Sequence, residues 1–490
     1  MRHWTLAGLA LCLLPSAARA QDAAAGAKAW LSAALDDPKK ADAVLAALRV
    51  SNDRDAAPIF GALTRSGDRR SRLAATAAIA RLAPQESVPY LLERLQQDTL
   101  HAVRAEALAH LLEMKAISPE QLQAALLVDD DNVRCLAARG LLRQGRKDQA
   151  GPALRKLAQS KDLPTACMSR MSLLGMGEPS HLEPLSQALL DGATPDAVLT
   201  LMLQQVADEK IRPAGELAQA ITQSARPITV RVMAYRAVSA LSATPASTLA
   251  QAIGQTREIT LQVHLVNLLS AAPDNQEALA GLAGGEGTAA ALARLELARS
   301  RKDPPLDKAA SAALALGHPV VIDYVLDRCA KDITALGEKA DAYTPALLGF
   351  IRATNSDSRE MGAVHVRTAR AATLLCDLGT PAALAGVKEL VNARHTTVAQ
   401  AVAAGMRWSK NKAVCEIARP LLTNPYRNVA VDAALTLGML GDVAAAGPLR
   451  ELVARGDREQ PSLMTLACWY LLKIEGQTAQ TARELAKQIK

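Results

Sequence analysis

A recurring unit constrains the fold of this chain more than any other feature of its sequence. Its clearest copy, Asp129–Gly145, reads DDDNVRCLAARGLLRQG. The acidic and amide side chains before Val133 can accept hydrogen bonds from the free amides of a helix's first turn, and Gly145 can adopt the left-handed conformation that ends a helix. Val133, Ala137 and Leu141 recur at four-residue spacing and form one apolar face. The segment therefore predicts a short amphipathic helix with its own start and stop signals.

Copies of this helix return along the chain, and each is followed by a second apolar stripe that predicts a second helix. The positions equivalent to Val133 are Leu73, Val103, Ala166, Val198 and Val230, then, after a less regular stretch, Val366, Val398 and Val429. Regular internal periods of about 20–50 residues are typical of stacked structural units. Because two short helices cannot bury both apolar faces alone, each pair must stack on the pairs before and behind it. We expect an all-α fold, an α-solenoid of about 12–14 stacked helix pairs.

The regularity of this pattern divides the chain into segments. Residues 1–20 are predicted to be a signal peptide and residues 21–270 an N-terminal repeat array. Residues 271–362 form an irregular helical middle with Gly-rich and loop segments, and residues 363–490 a C-terminal repeat array. The middle is where the repeat is hardest to follow.

The first twenty residues, MRHWTLAGLALCLLPSAARA, have the organisation of a secretory signal. Arg2 precedes an apolar run, and Ala18-Arg19-Ala20 provides a small-x-small cleavage site. We expect cleavage near Ala20 and an exported product, periplasmic or secreted. Beyond this segment, charged residues interrupt every apolar stretch before the roughly 20 residues needed to span a bilayer. No integral membrane segment is therefore expected after cleavage.

Charge and composition disfavour nucleic acid as a partner. Cleavage removes two arginines and no acid, so the formal net charge falls from +7 to +5 over the mature chain. Blocks of five or more like charges, which would favour an anionic partner, do not occur. Aromatic residues make up only 2% of the chain, whereas nucleobase and sugar binding rely on aromatic stacking. A protein partner is the remaining expectation.

Six cysteines remain after the predicted cleavage, and an even number in an oxidising compartment permits disulfides. Each lies in a separate apolar helical stretch. Neighbouring helices are about 8–10 Å apart, whereas a disulfide needs Cα atoms within about 7 Å. We expect mostly free, buried thiols, with Cys135–Cys167 as the pair best placed to form a bridge. The six are Cys135, Cys167, Cys329, Cys376, Cys415 and Cys468.

The unit Asp-x-x-Val-Arg-x-x-Ala-Ala-x-x-Leu resembles the short HEAT repeat named after phycobilisome lyases. Val133-Arg134 carries it best, and Val103-Arg104, Val230-Arg231 and Val366-Arg367 share its core. The resemblance covers most of the mature chain except residues 275–362. It implies a solenoid that binds proteins along a concave surface lined by second helices, while a minority of such proteins act as lyases or enzyme subunits. Fold alone does not choose between these roles.

The sequence predicts no catalytic residue, cofactor or metal site. Gly285–Ala290 matches a dinucleotide fingerprint, but the preceding residues predict a helix rather than the required strand. Ser409-x-x-Lys412 lacks the companion motifs of a penicillin-binding site and is predicted to be an inter-helix turn. His110-x-x-Glu113 has no third metal ligand nearby.

These observations favour an exported, non-catalytic scaffold or adaptor that binds another protein. Its predicted binding residues are exposed cations of second helices: Arg94, Arg155, Lys156, Lys388 and Arg450. The alternative is an enzyme or a lyase-like accessory subunit with a site in the irregular middle, where loops can carry functional groups. That site would involve Tyr343, Asn355, Asp357, Arg359 and His365. A purely structural spacer is the third possibility, and it would have a smooth surface.

Overall fold

The computed structural model describes residues 23–190, 194–301, 305–354, 361–392, 396–456 and 460–489. The predicted signal peptide lies outside these ranges, so export stays a prediction. Within them the chain forms α-helices and short 3-10 turns and no strand, which confirms the all-α class. No helix among these residues combines the length and apolar character needed to cross a membrane.

The helices follow one another in pairs, each made of a first helix with an even number and a second helix with an odd number. The first half of the chain contains α1 (residues 23–36), α2 (Pro38–Ser51), α3 (Ala57–Leu63), α4 (Arg69–Leu82), α5 (Pro84–Gln97), α6 (His101–Glu113), α7 (Pro119–Ala125), α8 (Asp131–Arg143), α9 (Lys147–Leu157), α10 (Leu163–Gly175), α11 (Leu182–Leu190), α12 (Asp196–Glu209), α13 (Gly215–Thr222), α14 (Ile228–Leu241) and α15 (Pro245–Gln255). The second half contains α16 (Ile259–Ala271), α17 (Asn275–Ala283), α18 (Gly287–Arg301), α19 (Leu306–Ala315), α20 (Pro319–Leu336), α21 (Thr344–Ala353), α22 (Met361–Leu378), α23 (Pro381–Val391), α24 (Thr396–Met406), α25 (Val414–Ala418), α26 (Arg427–Met439), α27 (Ala446–Arg455), α28 (Pro461–Ile474) and α29 (Thr478–Gln488). Helices α2 to α29 make fourteen consecutive pairs in the described part of the chain, as the repeat predicts.

The chain forms two compact units. Unit 1 combines Met1–Arg94 with Ala330–Lys490, and unit 2 is Leu95–Cys329. The boundaries fall inside α5 and α20, so they do not coincide with breaks in the helical pattern. The predicted boundaries near residues 270 and 362 describe where the sequence repeat loses and regains its regularity, and they stay predictions.

The clearest sequence unit forms α8 as predicted. The Asp130 carboxylate accepts a hydrogen bond from the Val133 amide at 3.0 Å, and Gly145 has a φ of 79° just after the helix. Val133, Ala137 and Leu141 are fully buried. One polar cap, one left-handed glycine and one apolar face are thus enough to define this helix.

The expected core position at Leu73 is wrong, since this side chain is 38% exposed. In α4 the cap is Asp68, whose carboxylate accepts a hydrogen bond from the Ser71 amide, just as Asp130 accepts one from Val133. Ser71 therefore occupies the position of Val133. Leu73 lies two positions beyond this equivalent position, and the prediction chose it because Ser71 itself is polar.

The expected core position at Val366 is also wrong, because this side chain is 65% exposed. The buried face of α22 consists instead of Thr368, Ala371, Ala372 and Leu375. These residues keep the three- and four-residue spacing of a helix face. The local match to Val-Arg is thus one residue out of register with the face that packs.

The six cysteines of the described residues are buried free thiols. Cys135 contacts the Ser169 hydroxyl at 3.5 Å rather than Cys167. Burial raises the pKa of the Cys135 thiol, which keeps it protonated and unreactive.

The two ends of the chain pack together within unit 1. Helix α2 packs on α28, and both are first helices of their pairs. Helix α3 packs on α29, and both are second helices. Asp53 accepts hydrogen bonds from Trp469 Nε1 and Lys473 Nζ, both at 3.2 Å, and Asp55 accepts one from the Thr478 hydroxyl at 2.5 Å. The first helix pair therefore stacks on the last pair as one repeat stacks on the next.

Candidate functional site

Two of the predicted binding cations pair with an acid of the following repeat. Arg155 on α9 lies 2.8 Å from the Glu178 carboxylate, and Arg450 on α27 lies 2.9 Å from that of Glu475. The Arg155 guanidinium, by hydrogen bonding, lowers the pKa of Glu178 below its usual value. These side chains tie neighbouring repeats together in addition to facing solvent.

The other three predicted binding residues are divided between buried and exposed positions. Arg94 is only 9% exposed and lies 2.5 Å from the Glu93 carboxylate. Lys156 and Lys388 are exposed on α9 and α23. Binding of a partner by these five cations stays a prediction, and the structure does not bring them together in one described cavity.

A cavity of about 470 Å³ opens on the opposite set of helices, in unit 1. We call it the first-helix cavity, because its walls come from α2, α22, α24, α26, α28 and the turn after α24. Its apolar lining consists of Ala46, Ala47, Val50, Val431, Leu463 and Leu466. Its polar and aromatic lining consists of His365, Gln400, Arg407, Trp408, Asn428, Asp432, Gln460 and Ser462. The volume lies within the roughly 300–1,000 Å³ typical of ligand sites.

An ion pair stacked on an aromatic ring forms one side of the first-helix cavity. Arg407 donates to the Asp432 carboxylate at 3.0 Å, and its guanidinium lies 4.7 Å from the centre of the Trp408 ring. Burial raises the pKa of Asp432, although Arg407 and nearby His365 oppose this shift. The two charges of this pair therefore balance each other inside the cavity wall.

Several polar groups of the first-helix cavity have no hydrogen-bond partner among the described residues. They include the side-chain amides of Gln400, Asn428 and Gln460, the Ser462 hydroxyl and the Trp408 indole N–H. The three amides come from α24, α26 and the cap of α28, one from each successive repeat. Such convergence of unpaired donors and acceptors around an apolar floor is typical of a site that binds a polar ligand.

The first-helix cavity also contains a serine, a histidine and an aspartate, namely Ser462, His365 and Asp432, but Ser462 makes no hydrogen bond to His365 among the described residues. A serine nucleophile needs a base within hydrogen-bonding reach. Within the same ranges, no group of three or more His, Cys, Asp or Glu side chains could hold a metal ion.

Two of the residues predicted for an enzymatic site in the middle of the chain, Tyr343 and His365, are described by the structure. Tyr343 is fully buried, and its hydroxyl donates to Asp332 at 2.7 Å. His365 lines the first-helix cavity. Asn355, Asp357 and Arg359 lie outside the described residues. The two that the structure places thus have separate surroundings.

The middle of the chain instead contains a buried charged cluster, in unit 2. Glu296 accepts hydrogen bonds from the Tyr324 hydroxyl at 2.6 Å and from Arg299 at 2.6 Å, and it lies 2.8 Å from Arg328 Nε. Arg328 also donates to the Asn267 side chain at 2.9 Å. Burial raises the pKa of Tyr324, so the phenol stays protonated. The cluster joins α16, α18 and α20 where the sequence repeat is weakest.

Comparisons with known proteins leave the function open. No protein-family model matches the chain, and no curated protein matches it in sequence. Among solved structures, a mutant of Kap121p is 12% identical with a TM-score of 0.34; the match covers 87% of this chain and 51% of that one, so this chain spans about half its length. An engineered protein is 17% identical with a TM-score of 0.23, and the match covers 88% of this chain and 99% of that one. A chain from a study of the phosphorylation-controlled interaction between cadherin and beta-catenin is 15% identical with a TM-score of 0.21. The match covers 84% of this chain and 99% of that one.

The chain is a helical-repeat protein of the α-solenoid class, on the evidence of its own paired helices. Likenesses at these identities and TM-scores add no argument about its function. The phycobilisome-lyase subtype of the repeat stays a prediction.

Sequence reasoning did not find the first-helix cavity. One signal was present: in a chain with 2% aromatic residues and four tryptophans, Trp408 follows Arg407 directly. An aromatic ring next to a cation in such a chain could have drawn attention to this turn. The convergence of one amide per repeat is visible only once the repeats are stacked.

Proposed function

We propose that this protein is an exported, non-catalytic scaffold that binds a segment of a partner protein in the first-helix cavity. The observation that carries the proposal is the set of unpaired amides of Gln400, Asn428 and Gln460 on one cavity wall. A ligand that supplies partners for these amides would gain a modest free energy from each hydrogen bond, because the amides exchange water for the ligand. The predicted signal peptide supports an envelope location, and the polar groups that converge above an apolar floor support a binding role.

Site-specific photocrosslinking tests this proposal directly. A photoreactive phenylalanine derivative is introduced in place of Val50, an exposed apolar residue of the first-helix cavity, or, as a matched comparison, in place of Lys388 on α23. We expect a crosslinked partner protein in the envelope fraction after irradiation of the Val50 variant and none with the Lys388 variant. Crosslinking at Lys388 alone would favour the second-helix surface and contradict the cavity as the binding site.

Export is tested separately from binding. We expect the mature protein in the envelope or the medium to begin near Gln21, as N-terminal sequencing would establish. Replacing Ala18 and Ala20 with bulky residues should leave the precursor uncleaved, because the cleavage site requires small side chains. Recovery of the full-length chain in the cytoplasm of the producing cell would refute export.

A further inference from the structure

We propose that the first-helix cavity recognises the backbone of an extended peptide, with one side-chain amide from each repeat pairing with every third peptide unit. This inference rests on the proposed scaffold function and names the chemistry of its partner segment. The ligand is a run of extended polypeptide rather than a folded surface.

The spacing of the repeat matches the spacing of an extended peptide. Successive packed helices lie about 8–10 Å apart. Three residues of extended or polyproline-type chain advance about 9–10 Å. Gln400, Asn428 and Gln460 belong to three successive repeats along α24, α26 and α28. Gln400 lies in the second turn of α24, Asn428 in the first turn of α26 and Gln460 at the cap of α28. A peptide that crosses the three helices obliquely, from the inside of α24 to the start of α28, would therefore bring a backbone unit to each amide in turn.

The chemistry of the three residues suits a backbone better than a side chain. A primary amide offers two donors and one carbonyl acceptor, so it can pair with both the C=O and the N–H of a peptide. Asn428 and Gln460 are exposed and Gln400 is half-buried, so all three can be reached from solvent. None makes a hydrogen bond with another described residue.

The charges of the cavity also match a neutral ligand. Arg407 and Asp432 neutralise each other at 3.0 Å, which leaves no unpaired permanent charge among the lining residues. A strongly acidic or basic segment would gain nothing from this balance, whereas peptide units carry both donors and acceptors and no net charge. The Trp408 ring and the floor of Ala46, Ala47 and Val50 provide apolar surface for small side chains that point inward.

The geometry sets the length of the segment. Spanning three helices requires about 16–20 Å, which corresponds to about six residues of extended chain. The probe in the test is accordingly a phage library of random dodecapeptides, selected on the immobilised mature chain. We expect enrichment of peptides that bind the wild-type protein, with small or apolar residues prevailing over charged ones.

Removal of the amides is the first test on the enriched peptides. The variant Gln400→Ala/Asn428→Ala/Gln460→Ala should weaken binding of a synthetic copy by about tenfold or more, since three hydrogen bonds are lost. The control variant Gln123→Ala/Gln219→Ala/Gln251→Ala removes three exposed helical glutamines outside the cavity and should bind like the wild type. Circular dichroism checks that both variants remain helical.

Methylation of the peptide backbone is the second test, and it uses only the wild-type protein. N-methylation removes one backbone donor at a time while leaving the side chains unchanged. We expect affinity to fall at every third position across about six residues.

Uniform tolerance of N-methylation, equal binding by the two triple variants, or failure to enrich any peptide would each overturn the backbone inference. If crosslinking at Val50 still captures a partner in that case, the scaffold function survives and only the peptide chemistry is rejected. If crosslinking also fails, both are rejected.

Discussion

Glu296 is the buried carboxylate of the charged cluster in unit 2, with only 3% of its side chain exposed. Its two oxygens accept from Tyr324 and Arg299, and Arg328 lies close enough to share its charge. Arg328, with 10% of its side chain exposed, could not be buried without a counter-charge, because an unpaired buried charge is strongly unfavourable. Glu296 thus holds three helices together in a region where the sequence repeat is weak.

Substituting Glu296→Gln should therefore destabilise unit 2 by about 3 kcal/mol or more, because the buried Arg328 guanidinium would lose the carboxylate that balances its charge. The measurement is urea denaturation followed by helical circular dichroism. The matched control is Glu277→Gln, an exposed acid on the neighbouring α17, which should change stability by less than about 0.5 kcal/mol. Equal effects of the two substitutions would show that the cluster does not stabilise the fold.

Ion pairs between repeats have a pH dependence that follows from the pKa of Glu93. Arg65 hydrogen-bonds this carboxylate and lowers its pKa in the folded state. A lowered folded pKa contributes stability above the unfolded pKa, about 4.3, and this contribution is lost as the pH falls through the folded pKa.

We expect Glu93→Gln to reduce stability by less than about 1 kcal/mol at pH 7, since the pair is near the surface. The difference from wild type should shrink as the pH falls through the lowered folded pKa of Glu93, because the wild-type carboxyl then becomes protonated too. Melting curves from pH 7 down to the acidic limit of folding provide the measurement. Glu451→Gln, at an exposed position on α27, should show no pH-dependent difference; a Glu93 deficit that stays constant over that pH range would contradict the electrostatic origin.

At the scale of helices, Gly405 fixes how closely α24 approaches α22. A Cβ atom at this position would lie 2.2 Å from the Ala369 carbonyl oxygen and 2.8 Å from the Ala372 side chain. The obstacle is backbone, which cannot rotate away as a side chain can. The Thr373 hydroxyl also donates to the Gly405 carbonyl at 2.8 Å across the same contact.

Gly405→Ala should destabilise unit 1 by about 1–3 kcal/mol, because the two helices would have to separate. Gly349→Ala is the matched control: it lies inside α21 of the same unit, and a Cβ there would meet nothing within 4 Å. That substitution should raise stability by up to about 1 kcal/mol through better helix propensity. Thermal melts of the two variants should shift in opposite directions, and a shared direction would refute the close-packing argument.

The helices could be predicted from sequence because their signals are local. Asp130, Val133 and Gly145 lie within one turn or one helix of each other, so cap, face and end can be seen together. The register failed at Leu73 and Val366, where the residue nearest the expected interval is apolar but the buried face begins at another. The sequence predicted that the cations of second helices bind a partner. It did not reveal their pairing acids, because an acid such as Glu178, which pairs with Arg155, belongs to the next repeat. The first-helix cavity depends on three repeats at once and left only Trp408 as a clue.

At the scale of the whole chain, the contact between its two ends is the feature least accessible from sequence. Asp53 and Trp469 are 416 residues apart and yet share a hydrogen bond. No local pattern encodes such a pairing. In an isolated stack, the terminal repeats would each leave one apolar face uncovered, and repeat proteins usually need polar capping units for this reason. Here the first pair and the last pair cover each other within unit 1.

This mutual covering predicts the effect of removing the last helix. Deleting Thr478–Lys490 takes away α29, so α3 loses the helix on which it packs, and Asp55 loses its hydrogen bond from Thr478. We expect hydrogen exchange of the α3 amides to accelerate toward that of a locally unfolded segment. Amides of α12, which lies in unit 2, serve as the internal reference and should keep their protection. Lys487→Ala, an exposed change in α29 itself, is the matched variant that should leave α3 unaffected. If α3 keeps full protection after the deletion, the first pair is stable without the last, and the contact between the chain ends does not stabilise unit 1.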